Sequence, residues 1–115
     1  MTTDTNHILS QDIRDSEIIA VSDVHIRFPD DRIYGLLCQF VQQCATQRVR
    51  NLVLLGDIFD FFMGSNSFFL NKFGRLLELL AECSRQGVHV LFFEGNHEFD
   101  LDRLALANVQ IVNQP

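Results

Sequence analysis

Leu52-Val53-Leu54-Leu55-Gly56-Asp57-Ile58-Phe59-Asp60 is a short apolar run stopped by a glycine and followed at once by two carboxylates among large apolar side chains. An unbroken run of this length suits a strand buried on both faces, and the glycine lets the backbone turn sharply at its end. Two other segments share the pattern. Ile18-Ile19-Ala20-Val21 runs into Ser22-Asp23-Val24-His25, and Val88 to Phe93 runs into Glu94-Gly95-Asn96-His97-Glu98. Between the first and second runs, apolar residues recur at Ile33, Leu36, Leu37, Phe40, Val41 and Cys44, the spacing of one helix face, with Pro29, Asp30 and Asp31 as start signals. Between the second and third, Phe69, Phe73, Leu76, Leu77 and Leu80 form another helical stripe, with Ser67 as its cap and Gly87 as its stop. Val109-Gln110-Ile111-Val112 reads as a fourth strand. The order β-α-β-α-β-β predicts an α/β fold whose mostly parallel sheet is covered on both faces. Residues 1–16 read as a polar lead-in and 17–115 as a single domain.

Ligands in open α/β sheets gather outside the carboxyl ends of the strands, so the three polar clusters are expected to meet. Asp23 and His25, two apart on an extended segment, point the same way, and one cation can take both. The two oxygens of Asp57 can bridge a pair of cations, and Gly56 lets the backbone approach them. Asn96 offers a neutral amide oxygen suited to Ca, Mg or Mn. The candidate metal ligands are therefore Asp23, His25, Asp57 and Asn96. Two cations ~3.5–4 Å apart clamp a phosphoryl group and activate water at neutral pH. His97, beside Asn96 but outside the ligand set, is the candidate catalytic residue, either protonating the leaving oxygen or stabilising charge on the phosphoryl oxygens. Glu98 is the second catalytic candidate, placed to orient that imidazole. Each cluster alone is a weak signal; three of them, each following a buried strand, are a strong one. His7 reads as solvated and His89, inside a strand, as structural.

Composition narrows the classes. With 115 residues and 47% of them apolar, the chain can bury one core, which excludes disorder. Fifteen acids against nine bases give a net charge of −6. The bases Arg14, Arg27, Arg32, Arg48, Arg50, Lys72, Arg75, Arg85 and Arg103 are scattered, so binding to nucleic acid by phosphate neutralisation is not expected. An acidic chain still accepts an anionic substrate where bound cations invert the local field. Cys38, Cys44 and Cys83 all fall inside predicted helices and form no C-x-x-C, as expected of buried reduced thiols in a cytoplasmic protein. No apolar run approaches the ~18 residues of a membrane helix. The polar first ten residues, with Asp4, predict no secretory leader.

Asp23-x-His25, Gly56-Asp57-x-x-Asp60 and Gly95-Asn96-His97-Glu98 resemble the first three motifs of the calcineurin-like metallophosphoesterases. The fuller run Gly56 to Phe62, the Phe-rich helix and Phe92-Phe93-Glu94-Gly95-Asn96-His97-Glu98-Phe99 resemble the branch that contains the UDP-2,3-diacylglucosamine pyrophosphatases. The resemblance implies the amino-terminal half of an αββα sandwich carrying two divalent metal ions, Mn first, with Fe, Zn or Mg as alternatives. It implies that Asp23, His25 and Asp57 hold the first metal, Asp57 and Asn96 the second, and that His97 is catalytic. The implied substrate is a phosphoester or pyrophosphate, small or lipid-borne, of the UDP-diacylglucosamine kind, with peripheral membrane contact. Arg27, Phe61, Phe62 and Met63 are the candidate substrate contacts; the three apolar residues either form a lip for acyl chains or pack beneath the metal loop. That branch carries Arg where this chain has His97. The family pattern also continues with later histidines, including a Gly-His-x-His, whereas no histidine follows His97 here. The chain by itself is thus expected to be incomplete or inactive. Two alternatives remain: a nuclease of the same superfamily, against which the acidic charge weighs, and a non-catalytic interaction module, against which the intact Asp23, His25, Asp57, Asn96 and His97 weigh.

Overall fold

Strand-forming runs and helical stripes fold in the expected order in a computed structural model, which describes residues 17–104, 106 and 109–112. The lead-in 1–16, with His7, lies outside the described residues. The elements are β1 (Ile18–Val21), α1 (Arg32–Gln47), β2 (Asn51–Leu54), β3 (Phe62–Met63), α2 (Ser67–Lys72), α3 (Gly74–Arg85), β4 (His89–Phe93), β5 (Glu98–Phe99), a 3-10 turn (Leu101–Arg103) and β6 (Val109–Val112). One sheet runs β1-β2-β4-β6, with every neighbouring pair parallel. β3 and β5 form a separate two-residue parallel pair, too short to show in the sequence pattern.

Of the cover expected on both faces of the sheet, the described residues supply helices on one. In register, Ile19, Leu52, Val90 and Val109 share one face with Val21, Leu54, Phe92 and Ile111, and on it Leu52, Leu54, Val90 and Phe92 are wholly buried. The opposite face carries Ile18, Ala20, Val53, Leu91 and Gln110, of which Ile18 is 64% exposed. The connections β1-α1-β2 and β2-α3-β4 both advance the same way across the sheet. Right-handed crossovers that advance in one direction deliver their helices to one face. An apolar run does not reveal this, because it looks the same whether one face or two is covered.

α1 starts at Asp31, whose Oδ2 accepts the backbone N–H groups of Arg27 (3.2 Å) and Phe28 (3.1 Å) rather than capping its own helix. It ends at Arg48, in the left-handed region at φ 53°. The single second helix expected from the sequence is two helices, interrupted at Phe73 (φ −112°, ψ 26°). Phe73 is buried against Phe59 (ring centroids 4.7 Å) and Tyr34 (5.5 Å), so packing sets its backbone. The cap of α2 is Asn66, whose Oδ1 accepts the Phe68 N–H at 2.8 Å, and not Ser67. α1 and α3 are joined across their buried faces: Tyr34 Oη accepts the Leu76 N–H at 3.1 Å, and the Cys83 thiol donates to the Val41 carbonyl at 3.3 Å.

Candidate functional site

The chain leaving β1 is laced to the chain leaving β2. Asp23 N–H donates to Gly56 O (3.2 Å), His25 N–H to Asp57 O (3.1 Å) and Ile26 N–H to Ile58 O (2.9 Å), while Asp60 N–H returns to Ile26 O (2.8 Å). Asp23 and His25 were expected on an extended segment; instead both have φ 54°, and Asp57 has φ 52°. Left-handed backbone costs a non-glycine residue on the order of 1–2 kcal/mol, and it persists where surrounding bonds over-determine it, typically at functional sites. The side chains converge all the same. His25 Nε2 lies 3.8 Å from Asp23 Oδ1, and one donor atom from each of Asp23, His25 and Asp57 lies within 4.8 Å of the other two. Asp23 and His25 are exposed and Asp57 is half-buried. Two carboxylates and an imidazole are a donor set that fits a hard or borderline divalent cation.

The chain leaving β4 closes against Asp57. Gly95 packs so tightly there that a β-carbon on it would collide with the Asp57 nitrogen and Oδ1. His97 N–H donates to Asp57 Oδ1 at 3.3 Å, and the His97 ring stands edge-on to the His25 ring with centroids 6.0 Å apart. Asn96, exposed, sits in the same turn between Gly95 and His97. Glu98 was expected to orient the imidazole, but both its oxygens face the backbone. Oε1 accepts from Asp57 N (3.0 Å) and Gly95 N (2.8 Å), and Oε2 from Ile58 N (2.7 Å) and Phe59 N (3.0 Å). Burial pushes its carboxyl up from the usual range, while these four donors pull the other way.

The candidate substrate contacts separate. Arg27 Nε is 3.6 Å from Asp60 Oδ2, with Arg27 largely in solvent and Asp60 half-buried. Phe62 is wholly buried, stacked on Phe59 at 4.5 Å, and Met63 is half-buried. Phe61 is 46% exposed and meets Phe69 (5.3 Å) and Phe99 (5.6 Å). Sequence reading missed the rest of this aromatic surface: Phe28, Phe68 and Phe99 are exposed, and Lys72 Nζ lies 5.0 Å from the Phe28 ring centroid and 5.4 Å from that of Phe68. The available signal was that Phe68 falls off the buried stripe of its helix. His89, in β4, has its ring nitrogens 3.1 Å from Asn51 Oδ1 and 3.3 Å from Gln110 Oε1, on the sheet and away from this site.

Against known proteins, the profile of the calcineurin-like phosphoesterases matches residues 16–112. The UDP-2,3-diacylglucosamine hydrolase of Haemophilus influenzae is 33% identical over 79 residues, covering 69% of this chain and 32% of its own length. The enzyme of the same name from Neisseria meningitidis serogroup B is 31% identical over 80 residues, covering 69% of this chain and 32% of its own. That of Ralstonia nicotianae is 30% identical over 98 residues, covering 85% of this chain and 36% of its own. The chain thus spans about a third of the length of the curated relatives it matches.

Proposed function

Because the chain belongs to the calcineurin-like phosphoesterase family, we propose that its three strand ends carry the metal centre of a hydrolase acting on a phosphoester or pyrophosphate bond. The observation that supports this reading is the convergence of Asp23, His25 and Asp57 to within 4.8 Å, with left-handed backbone at all three. Those residues would hold one divalent cation, and Asp57 with Asn96 would supply donors to a second. When bound, such cations neutralise phosphoryl oxygens and acidify water. Mn suits these oxygen and imidazole donors, as do Fe, Zn and Mg.

The remaining roles fall to this chain's own side chains. Asp57 would be shared, because it meets Asp23 and His25 on one side and the His97 N–H on the other. His97 gives a proton to the leaving oxygen, its ring being held near His25 by the bond from its own N–H to Asp57. The aromatic surface of Phe28, Phe61, Phe68 and Phe99 continues from the metal loops and offers apolar area for acyl chains, in keeping with the relatives named for a diacylated nucleotide sugar. Lys72 within that surface suits peripheral contact with an anionic lipid layer. No helix among the described residues is long and apolar enough to cross a membrane. The buried thiols fit a reducing, cytoplasmic setting.

The test combines Mn²⁺ binding with turnover of UDP-2,3-diacylglucosamine by the natively expressed protein. Asp57→Ala is expected to lose both metal and activity. His97→Ala is expected to keep the metal and lose ~10²–10⁴-fold in turnover, the range of an acid–base group. Undiminished Mn²⁺ binding by Asp57→Ala would sink the metal assignment, and undiminished turnover by His97→Ala the catalytic one.

A further inference from the structure

We propose that Glu98 is a positioning residue for the metal centre: its carboxylate locks the turn that carries Asp57 to the turn that carries Asn96. This rests on the metal reading above and deepens it. Glu98 is the one buried charged side chain among the described residues, 1% exposed, and a carboxylate is costly to bury without strong partners. Its partners are three consecutive backbone N–H groups, those of Asp57, Ile58 and Phe59, together with that of Gly95. Successive N–H groups converging on one point make an anion-binding concavity, here filled by the protein's own side chain.

The division between the two oxygens is informative. Oε1 takes one N–H from each turn and so bridges them, while Oε2 takes two from the Asp57 turn alone. The bridge acts on the nitrogen of Asp57, a residue whose backbone is held at φ 52°. Gly56 and Gly95 let the two turns touch, and a β-carbon on either would meet the other's backbone at 3.0 Å or closer. Glu98 itself pairs in parallel with Phe62, whose ring is wholly buried in the core. Removing the charge would leave buried N–H groups without an acceptor and release the φ of Asp57. Partners that orient metal ligands typically change metal affinity ~10–100-fold when lost.

The experiment measures Mn²⁺ affinity of the natively expressed protein and of its Glu98→Gln variant, beside Leu80→Ala, a buried α3 change that controls for lost stability. Hydrogen exchange at the Ile58 and Phe59 amides of the metal-free protein is read in parallel. Glu98→Gln should weaken Mn²⁺ binding ~10–100-fold and speed that exchange, whereas Leu80→Ala should bind within about twofold of the parent. Affinity within twofold for Glu98→Gln, or an equal loss in Leu80→Ala at matched melting temperature, overturns the proposal. Should Glu98→Gln not fold, Glu98→Asp, which keeps the charge but is too short to span both turns, carries the same test: a loss of about fivefold or more supports the lock, and affinity within twofold overturns it. A natively expressed parent protein that binds no Mn²⁺ while its Ile58 and Phe59 amides stay protected defeats the metal reading and, with it, this one.

Discussion

Phe61 and Phe62 are neighbours in the chain, yet one is 46% exposed and the other sealed between Phe59, Phe69 and Phe73. Burial of a phenylalanine ring contributes a few kcal/mol, and truncating one in a core costs about 3–5 kcal/mol. Phe62→Ser should therefore lower the urea midpoint severely and reduce turnover of every substrate alike. Phe61→Ser, at the surface, should change stability by about 0.5 kcal/mol or less. It should raise the Michaelis constant for a diacylated substrate and leave that for bis-p-nitrophenyl phosphate unchanged. A stability loss for Phe61→Ser matching that of Phe62→Ser would place both rings in the core and remove the acyl-lip role.

Among the elements, the α1–α3 contact concentrates groups whose protons are hard to remove. Burial pushes Tyr34 up to about 12, and likewise Cys44 and Cys83 to about 12. In the unfolded chain these groups ionise from about pH 8.5 for the thiols and about pH 10 for the phenol. The unfolded state thus binds fewer protons than the native state across that interval, so stability falls as pH rises. The urea midpoint is expected to hold steady up to about pH 8.5 and to fall steeply towards pH 12. Because the thiolate is the nucleophile, a thiol reagent at pH 8 should label none of the three cysteines until urea is added. Rapid labelling of the native chain, or a midpoint independent of pH above 9, would show the contact to be open.

For the molecule as a whole, the consequence of one-sided helix packing is a mixed sheet face, on which His89 meets Asn51 and Gln110 beside a group of apolar residues. Ile18, Ala20, Val53 and Leu91 lie there, with Leu55 exposed just beyond β2. Exposed apolar surface of this kind drives association. The 115-residue chain should sediment as concentration-dependent oligomers at tens of micromolar, and Leu91→Lys, at the centre of that face, should shift it towards monomer. A parent chain that stays monomeric throughout would mean that residues outside the described set cover the face.

The sequence by itself determined the order of the four sheet strands and the approach of Asp23, His25, Asp57 and His97, because parallel strands must deliver the residues after their carboxyl ends to one edge. It determined the helical stripes too, since period alone places Leu37, Val41 and Cys44 inward. It did not determine which sheet face is covered, the break at Phe73, or which of Phe61 and Phe62 is buried, for these depend on the direction of crossover and on rings from distant elements. Nor did it determine the task of Glu98. A carboxylate next to a histidine suggests an orienting bond, but the choice between imidazole and backbone rested on where the Asp57 turn lies. Only the packing of that turn, 39 to 41 residues away in the chain, puts three N–H groups in its reach. Local pattern fixes what each segment prefers; contacts between segments decide what each polar atom binds.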